Sequence, residues 1–181
     1  MKKQYFSLFE LMIMVSGGIL LTVLKISLKL PLKVPGHTGI FWMAVLIIVR
    51  ALVNKQGAAA VTGLFSACIA ILAVPGGKGP LNTFLSYCAA GIGVEMGVLM
   101  FRNKNSVFIL CCVGLLGNMT KLLVKIAFDL AIGVPLKVVF ISKSYAFLTY
   151  ALFGIVGGVL AYGILTALKK AGMFTYLQER R

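Results

Sequence analysis

The chain has 181 residues, 60% hydrophobic and only 12% charged, with Lys+Arg 18 against Asp+Glu 4 and a mean hydropathy of +1.02. Soluble domains are roughly 45–50% apolar and about 25% charged, and disordered chains need low hydrophobicity with dense charge, so both classes are excluded. The net charge of +14 does not point to nucleic acid, because the apolar runs between the charges leave no soluble basic domain to bind it. What remains is an integral membrane protein with basic loops. A span and its loop take about 30 residues, so roughly six helices fit and no extramembrane domain does.

In chain order the apolar stretches predict spans over 5–30, 40–53, 58–74, 81–101, 106–132 and 145–168. The second is shorter than the usual span and is expected to borrow from its loops or tilt little, whereas the first and fifth are long enough to tilt or project. Segments such as Met43-Ala-Val-Leu-Ile-Ile-Val49 lack the period-2 alternation of transmembrane strands. The predicted fold is therefore an all-α, six-transmembrane-helix bundle, with residues 1–181 as one domain, since no linker, repeat or low-complexity segment interrupts it.

An even number of spans puts both termini on one side. That side collects Lys2, Lys3, Arg50, Lys55, Arg102, Lys104, Lys169, Lys170, Arg180 and Arg181, ten charges against eight on the other. The positive-inside rule then favours cytoplasmic termini in the cell membrane. The Met1-Lys2-Lys3 start imitates a signal peptide, but no small-residue cleavage site follows and the apolar run continues to Lys25 and Lys29, so it is taken as the first helix.

Several chemistries find no motif. Cys68, Cys88, Cys111 and Cys112 lie within predicted spans without a CxxC pair, and the single histidine sits in a loop, so no metal site is expected. Gly76-Gly77-Lys78-Gly79 lacks the spacing and the Ser/Thr of a nucleotide-gripping loop. No cofactor is expected, and uphill transport would have to draw on an ion gradient or another subunit. Asn118-Met-Thr120 matches a glycosylation sequon but falls inside a span.

Ionisable residues within spans are costly and usually face a cavity, a partner or the bundle interior. On the fifth helix Asn118, Lys121, Lys125 and Asp129 share one face, on the first Thr22, Lys25 and Lys29 do, and on the fourth Tyr87, Gly91 and Glu95 do. The outward loops add Lys33 and His37 with Trp42 just beyond, Lys78 with Asn82, and a stretch over 133–144 followed by Tyr145. Lysines, an imidazole, amides and aromatic rings around one end of a bundle suit a small organic anion. The expected pocket and lid are Lys33, His37, Trp42, Lys78, Asn82, Tyr87, Asn118, Lys121, Lys125 and Tyr145. Against this stands lysine snorkelling to headgroups, the simpler account of Lys29, Lys33 and Lys137. Glu95 lies too deep for the loops and is expected in a structural hydrogen bond or ion pair, and Glu10 is read as a boundary residue.

Small residues at four-residue spacing let membrane helices approach closely. They occur at Ala59, Gly63 and Ala67, at Ala89, Gly93 and Gly97, and at Gly154 and Gly158, with a further patch at Ser16, Gly17 and Gly18. Packing inside the bundle is the default use, and docking of a second membrane subunit is the alternative.

With these features the chain resembles the substrate-binding S components of energy-coupling factor (ECF) vitamin transporters, over nearly its whole length. The segment Gly36-His-Thr-Gly-Ile-Phe-Trp-Met43 through Arg50, then Asn54-Lys-Gln-Gly57 and Gly77-Lys-Gly-Pro80, is similar to a subgroup of that family. The resemblance implies a non-catalytic subunit that holds its small-molecule substrate between the outer helix halves under the first, third and fifth loops. It implies as partners a transmembrane T subunit and two cytosolic ATPases, with binding independent of ATP. Many members dock on the T subunit through alanines four apart in the first helix. Here Ser16, Gly17 and Gly18 stand instead, so either they substitute or Ala59, Gly63 and Ala67 of the third helix dock. The metal-binding relatives carry an N-terminal histidine-containing extension that Met1-Lys-Lys-Gln4 does not resemble, so a metal substrate is not expected. The rival readings are a small membrane-embedded enzyme and a ligand-free structural subunit.

Overall fold

The computed structural model describes residues 6–27, 34–73, 79–101 and 106–174. They form six helices and, among the described residues, no strand: α1 (Leu8–Ser27), α2 (Gly39–Val53), α3 (Ala58–Ala73), α4 (Pro80–Met100), α5 (Val107–Ala131) and α6 (Leu136–Lys170). The protein is an all-α membrane protein. Four helices (α1, α4, α5 and α6) are long and apolar enough to cross a bilayer, while α2 and α3 are shorter apolar helices.

Local chemistry explains several of the boundaries. Ser7 and Glu10 form a reciprocal capping box at the start of α1: the Ser7 amide donates to Glu10 Oε2 at 2.9 Å and the Glu10 amide to Ser7 Oγ at 3.3 Å. α2 ends where Asn54 adopts the left-handed conformation, φ 50°, and returns its amide to the Arg50 carbonyl. α4 begins with Pro80 at its first turn, where a missing amide hydrogen costs nothing.

α2 is the centre of the bundle. It packs against all five other helices, which neighbour one another around it in the order α1, α3, α4, α5, α6. This explains why α2 is apolar on every side, with Trp42, Met43, Leu46, Ile47 and Val53 at 2% exposure or less. At 1.5 Å per residue its 15 residues span about 22 Å, short of the roughly 30 Å hydrocarbon core.

Glycine seams close the bundle. Gly114 of α5 meets Gly154 and Gly158 of α6, Gly93 of α4 meets Gly117 and Thr120 of α5, and Gly63 of α3 meets Tyr87 and Gly91 of α4. The small residues expected to offer a docking face are spent the same way. Gly17 lies against Val49 and Thr62, Gly18 lies against Phe65 and Ser66, and Ala59 and Ala67 are fully buried. Only Ser16 of that set is exposed.

Two expectations are corrected. The segment 136–144, read as loop, is the start of a 35-residue α6, because after Pro135 no residue in it breaks a helix. Arg50, counted with the charges of the terminal side, is 3% exposed inside the bundle and paired with Glu95. Glu10, read as a boundary residue, does stand in the first turn of α1, where it is 1% exposed.

Candidate functional site: a lysine-lined cup

A cavity of about 390 Å³ opens at the end of the bundle where α1 and α5 finish and α2, α4 and α6 begin. This falls within the usual range for small-molecule sites, roughly 300–1,000 Å³. Five helices and one loop build it. α1 contributes Lys25, α2 contributes Trp42, and α4 contributes Asn82, Thr83, Ser86 and Tyr87. α5 supplies Lys121, Leu122 and Lys125, and α6 supplies Lys143, Ala146 and Tyr150. The loop 34–38 forms the remaining wall.

That loop is held down by glycine. Gly36 has φ +87°, and a Cβ there would lie 2.6 Å from the Tyr150 ring, so both backbone conformation and space require the residue that is present. The His37 ring closes the turn, its Nδ1 donating to the Val34 carbonyl at 2.8 Å. A carbonyl oxygen only accepts, so the hydrogen is on Nδ1 and Nε2 is the nitrogen left for a ligand.

The distribution of charge is the main feature. Four ammonium groups line the cup: Lys25, Lys121, Lys125 and Lys143. Lys143 is paired with Asp129 at 3.3 Å. Among the described residues no carboxylate pairs with the other three. Glu95 is engaged by Arg50 at 2.9 Å, and Glu10 by Lys55 at 2.6 Å, both near the opposite end of the bundle.

Aromatic rings stand in for the missing anions. Lys121 Nζ lies 4.6 Å from the centroid of Trp42 and 5.6 Å from that of Tyr87, and Lys25 Nζ lies 4.8 Å from Tyr87. Lys125 Nζ donates to the Tyr150 hydroxyl at 2.8 Å. Trp42 and Tyr87 pack with centroids 4.0 Å apart at 57°. A ring face attracts a cation, but more weakly than a carboxylate or phosphate oxygen does.

Of the residues predicted from sequence, His37, Trp42, Asn82, Tyr87, Lys121 and Lys125 meet in this one cavity. Lys33 and Lys78 lie outside the described residues. Asn118 is fully buried behind the wall, where its Nδ2 donates to the Tyr150 carbonyl at 2.8 Å, so it ties α5 to α6 rather than facing the cavity. Tyr145 is 59% exposed and absent from the wall, because on α6 it is turned one residue away from the Lys143, Ala146 and Tyr150 face.

Sequence reasoning missed Lys25, Lys143 and Tyr150 as site residues. Lys25 carried a signal in its stripe with Thr22. Lys143, Ala146 and Tyr150 have the i, i+3, i+7 spacing of a helix face, hidden because 133–144 was read as loop.

A cavity of ligand size lies inside an apolar helical bundle, and the comparison with known families states the class. Residues 6–120 match the family described as "ABC-type cobalt transport system, permease component", and the chain belongs to that family. It is thus a membrane subunit of an ABC-type transporter, a class of permeases and not of enzymes. No curated protein and no solved structure matches the chain.

Proposed function

We propose that this chain is the substrate-capture subunit of an ECF-type transporter, a single membrane domain that takes up a small organic anion from outside the cell. The observation that carries the reading is the cup: about 390 Å³, with Lys25, Lys121 and Lys125 facing it and, among the described residues, no carboxylate in an ion pair with any of them. Clustered cations removed from water are expensive unless an anion compensates them. A bound carboxylate or phosphate would do so, accepting hydrogen bonds from the ammonium groups.

The family description mentions cobalt. A free divalent cation would meet four ammonium groups in this cup, and among the described residues no group of three or more His, Cys, Asp or Glu side chains is placed to hold a metal ion. The chemistry of the wall therefore favours an organic anion over the bare ion. An enzyme acting on lipid phosphates would need convergent acids, whereas Glu10, Glu95 and Asp129 are each committed to a separate cation.

In this reading a T subunit and two cytosolic ATPases drive release, the termini are cytoplasmic, and the cup opens outward. Mass spectrometry of the protein purified in mild detergent tests it, with a small water-soluble anion expected to accompany the chain. Lys121→Met should reduce ligand retention at least about tenfold, the effect of one lost charge-assisted hydrogen bond, while leaving expression unchanged. A protein that carries no ligand, or a variant that retains it fully, would overturn the assignment.

A further inference from the structure

The cup also specifies how much charge its ligand carries, and this step rests on the capture reading above. Tyr87 is 4% exposed and its hydroxyl is buried in the cavity wall without a hydrogen-bond partner. Its ring is approached by Lys25 and Lys121, so an unused phenolic hydrogen lies beside two ammonium groups. One helical turn further along α5, Lys125 has three donors and no acceptor, so in its 2.8 Å contact the Tyr150 oxygen must accept. The phenolic hydrogen of Tyr150 is thereby left to donate elsewhere. Two donor sets thus line one cavity, one on α1, α4 and α5 and the other on α5 and α6.

From this arrangement we infer that the ligand is a polyanion, with a charge of −2 or −3, whose anionic oxygens engage both donor sets at once. A monoanion would satisfy one set and leave the other, either the buried Lys121 with the half-buried Lys25 or the half-buried Lys125, without an anionic partner. Asp129 does not alter the count, because it is held by Lys143. The aromatic rings contribute seats for the lysines rather than a stacking platform: Trp42 is 2% exposed, with Lys121 over its ring and Tyr87 against it. Charge, more than ring shape, is what this wall reads.

Butyrate, glutarate and tricarballylate form a flexible aliphatic series of charge −1, −2 and −3 at pH 8. They do not absorb where tryptophan fluoresces, and Trp42 is the only tryptophan in the chain, so its emission reports binding to the ligand-stripped, detergent-purified protein. Each added carboxylate up to −3 is expected to tighten binding about tenfold, as one further charge-assisted contact. Lys125→Met should erase most of the advantage of tricarballylate and glutarate over butyrate. Butyrate binding as tightly as the others would overturn the charge count. So would failure of all three to bind, whereas the capture reading is tested separately, by the small molecule that accompanies the purified protein and its loss in Lys121→Met. If titration with tricarballylate displaces a retained phospholipid, seen by native mass spectrometry, a lipid headgroup rather than a soluble polyanion is the ligand, and the proposal is overturned.

Discussion

Arg50 and Glu95 show how a single residue pair can tie three helices together. Glu95 Oε1 accepts from Arg50 Nε at 2.9 Å, and its other oxygen accepts the Ala59 amide at 3.2 Å. Ala59 lies in the first turn of α3, where amides have no partner within the helix, so a carboxylate from α4 caps α3 while clamping α2. The two side chains are 4% and 8% exposed. Removing one partner leaves a buried charge uncompensated, which costs about 3–5 kcal/mol, whereas replacing both with apolar groups is often neutral. Glu95→Ala should therefore lower thermal stability in detergent sharply, and Arg50→Met combined with Glu95→Leu should recover most of it. A double variant as unstable as the single one would show that the α3 cap, not the charge pair, matters. The depth of Glu95 was legible from its position along α4. Its partner was not, because Arg50 lies 45 residues away and no local pattern links the two.

At the scale of elements, the sequence showed most of α1 to α5 because each is a long apolar run ended by Gly, Pro, Asn or Lys. It failed at α6, where lysines and serines over 137–144 imitate a loop although their helical spacing puts one face into the cup. The extra turns matter, since they carry Lys143 to Asp129 and begin the face that ends at Tyr150. At 1.5 Å per residue the helix is about 52 Å long, more than the hydrocarbon thickness, so it must tilt or project. What holds it is the glycine seam with α5. A methyl group at Gly114 would strike the Gly154 carbonyl, and one at Gly158 the Leu110 carbonyl, both backbone atoms that cannot rotate away. Gly114→Ala should thus destabilise the protein by about 1–3 kcal/mol, the usual range for overpacking. Gly163→Ala on the same family of helices is the control: no atom lies within 4 Å of its added carbon, and loss of glycine flexibility should stabilise α6 by about 0.5–1 kcal/mol. Thermal melts of the two variants side by side distinguish seam packing from a general effect of glycine loss.

Across the whole molecule the charges divide by end. At one end Glu10 pairs with Lys55 and Glu95 with Arg50, and at the other the cup holds three lysines with no carboxylate partner among the described residues. The buried acids Glu10 and Glu95 are thus each paired where α1 and α3 begin, and the cationic cup lies where α1 and α5 end. This polarity was partly visible in sequence as stripes on α1 and α5, but the pairing of the opposite end depends on contacts between helices that spacing cannot reveal. It leads to a directional prediction. If the termini are cytoplasmic, as the excess of Lys and Arg on their side favours, the open cup faces the cell exterior. Thr83 lines the cavity and its hydroxyl donates to the Gly79 carbonyl of its own first turn, so a cysteine there should disturb little. In a background with Cys68, Cys88, Cys111 and Cys112 replaced, Thr83→Cys should react in intact cells with a membrane-impermeant maleimide. Lys55→Cys, next to Glu10 at the other end, should react only after permeabilisation. Saturating ligand should slow labelling at position 83 and leave position 55 unchanged. The reverse pattern of access would turn the cup toward the cytosol, where a subunit that gathers solutes for import could not fill it.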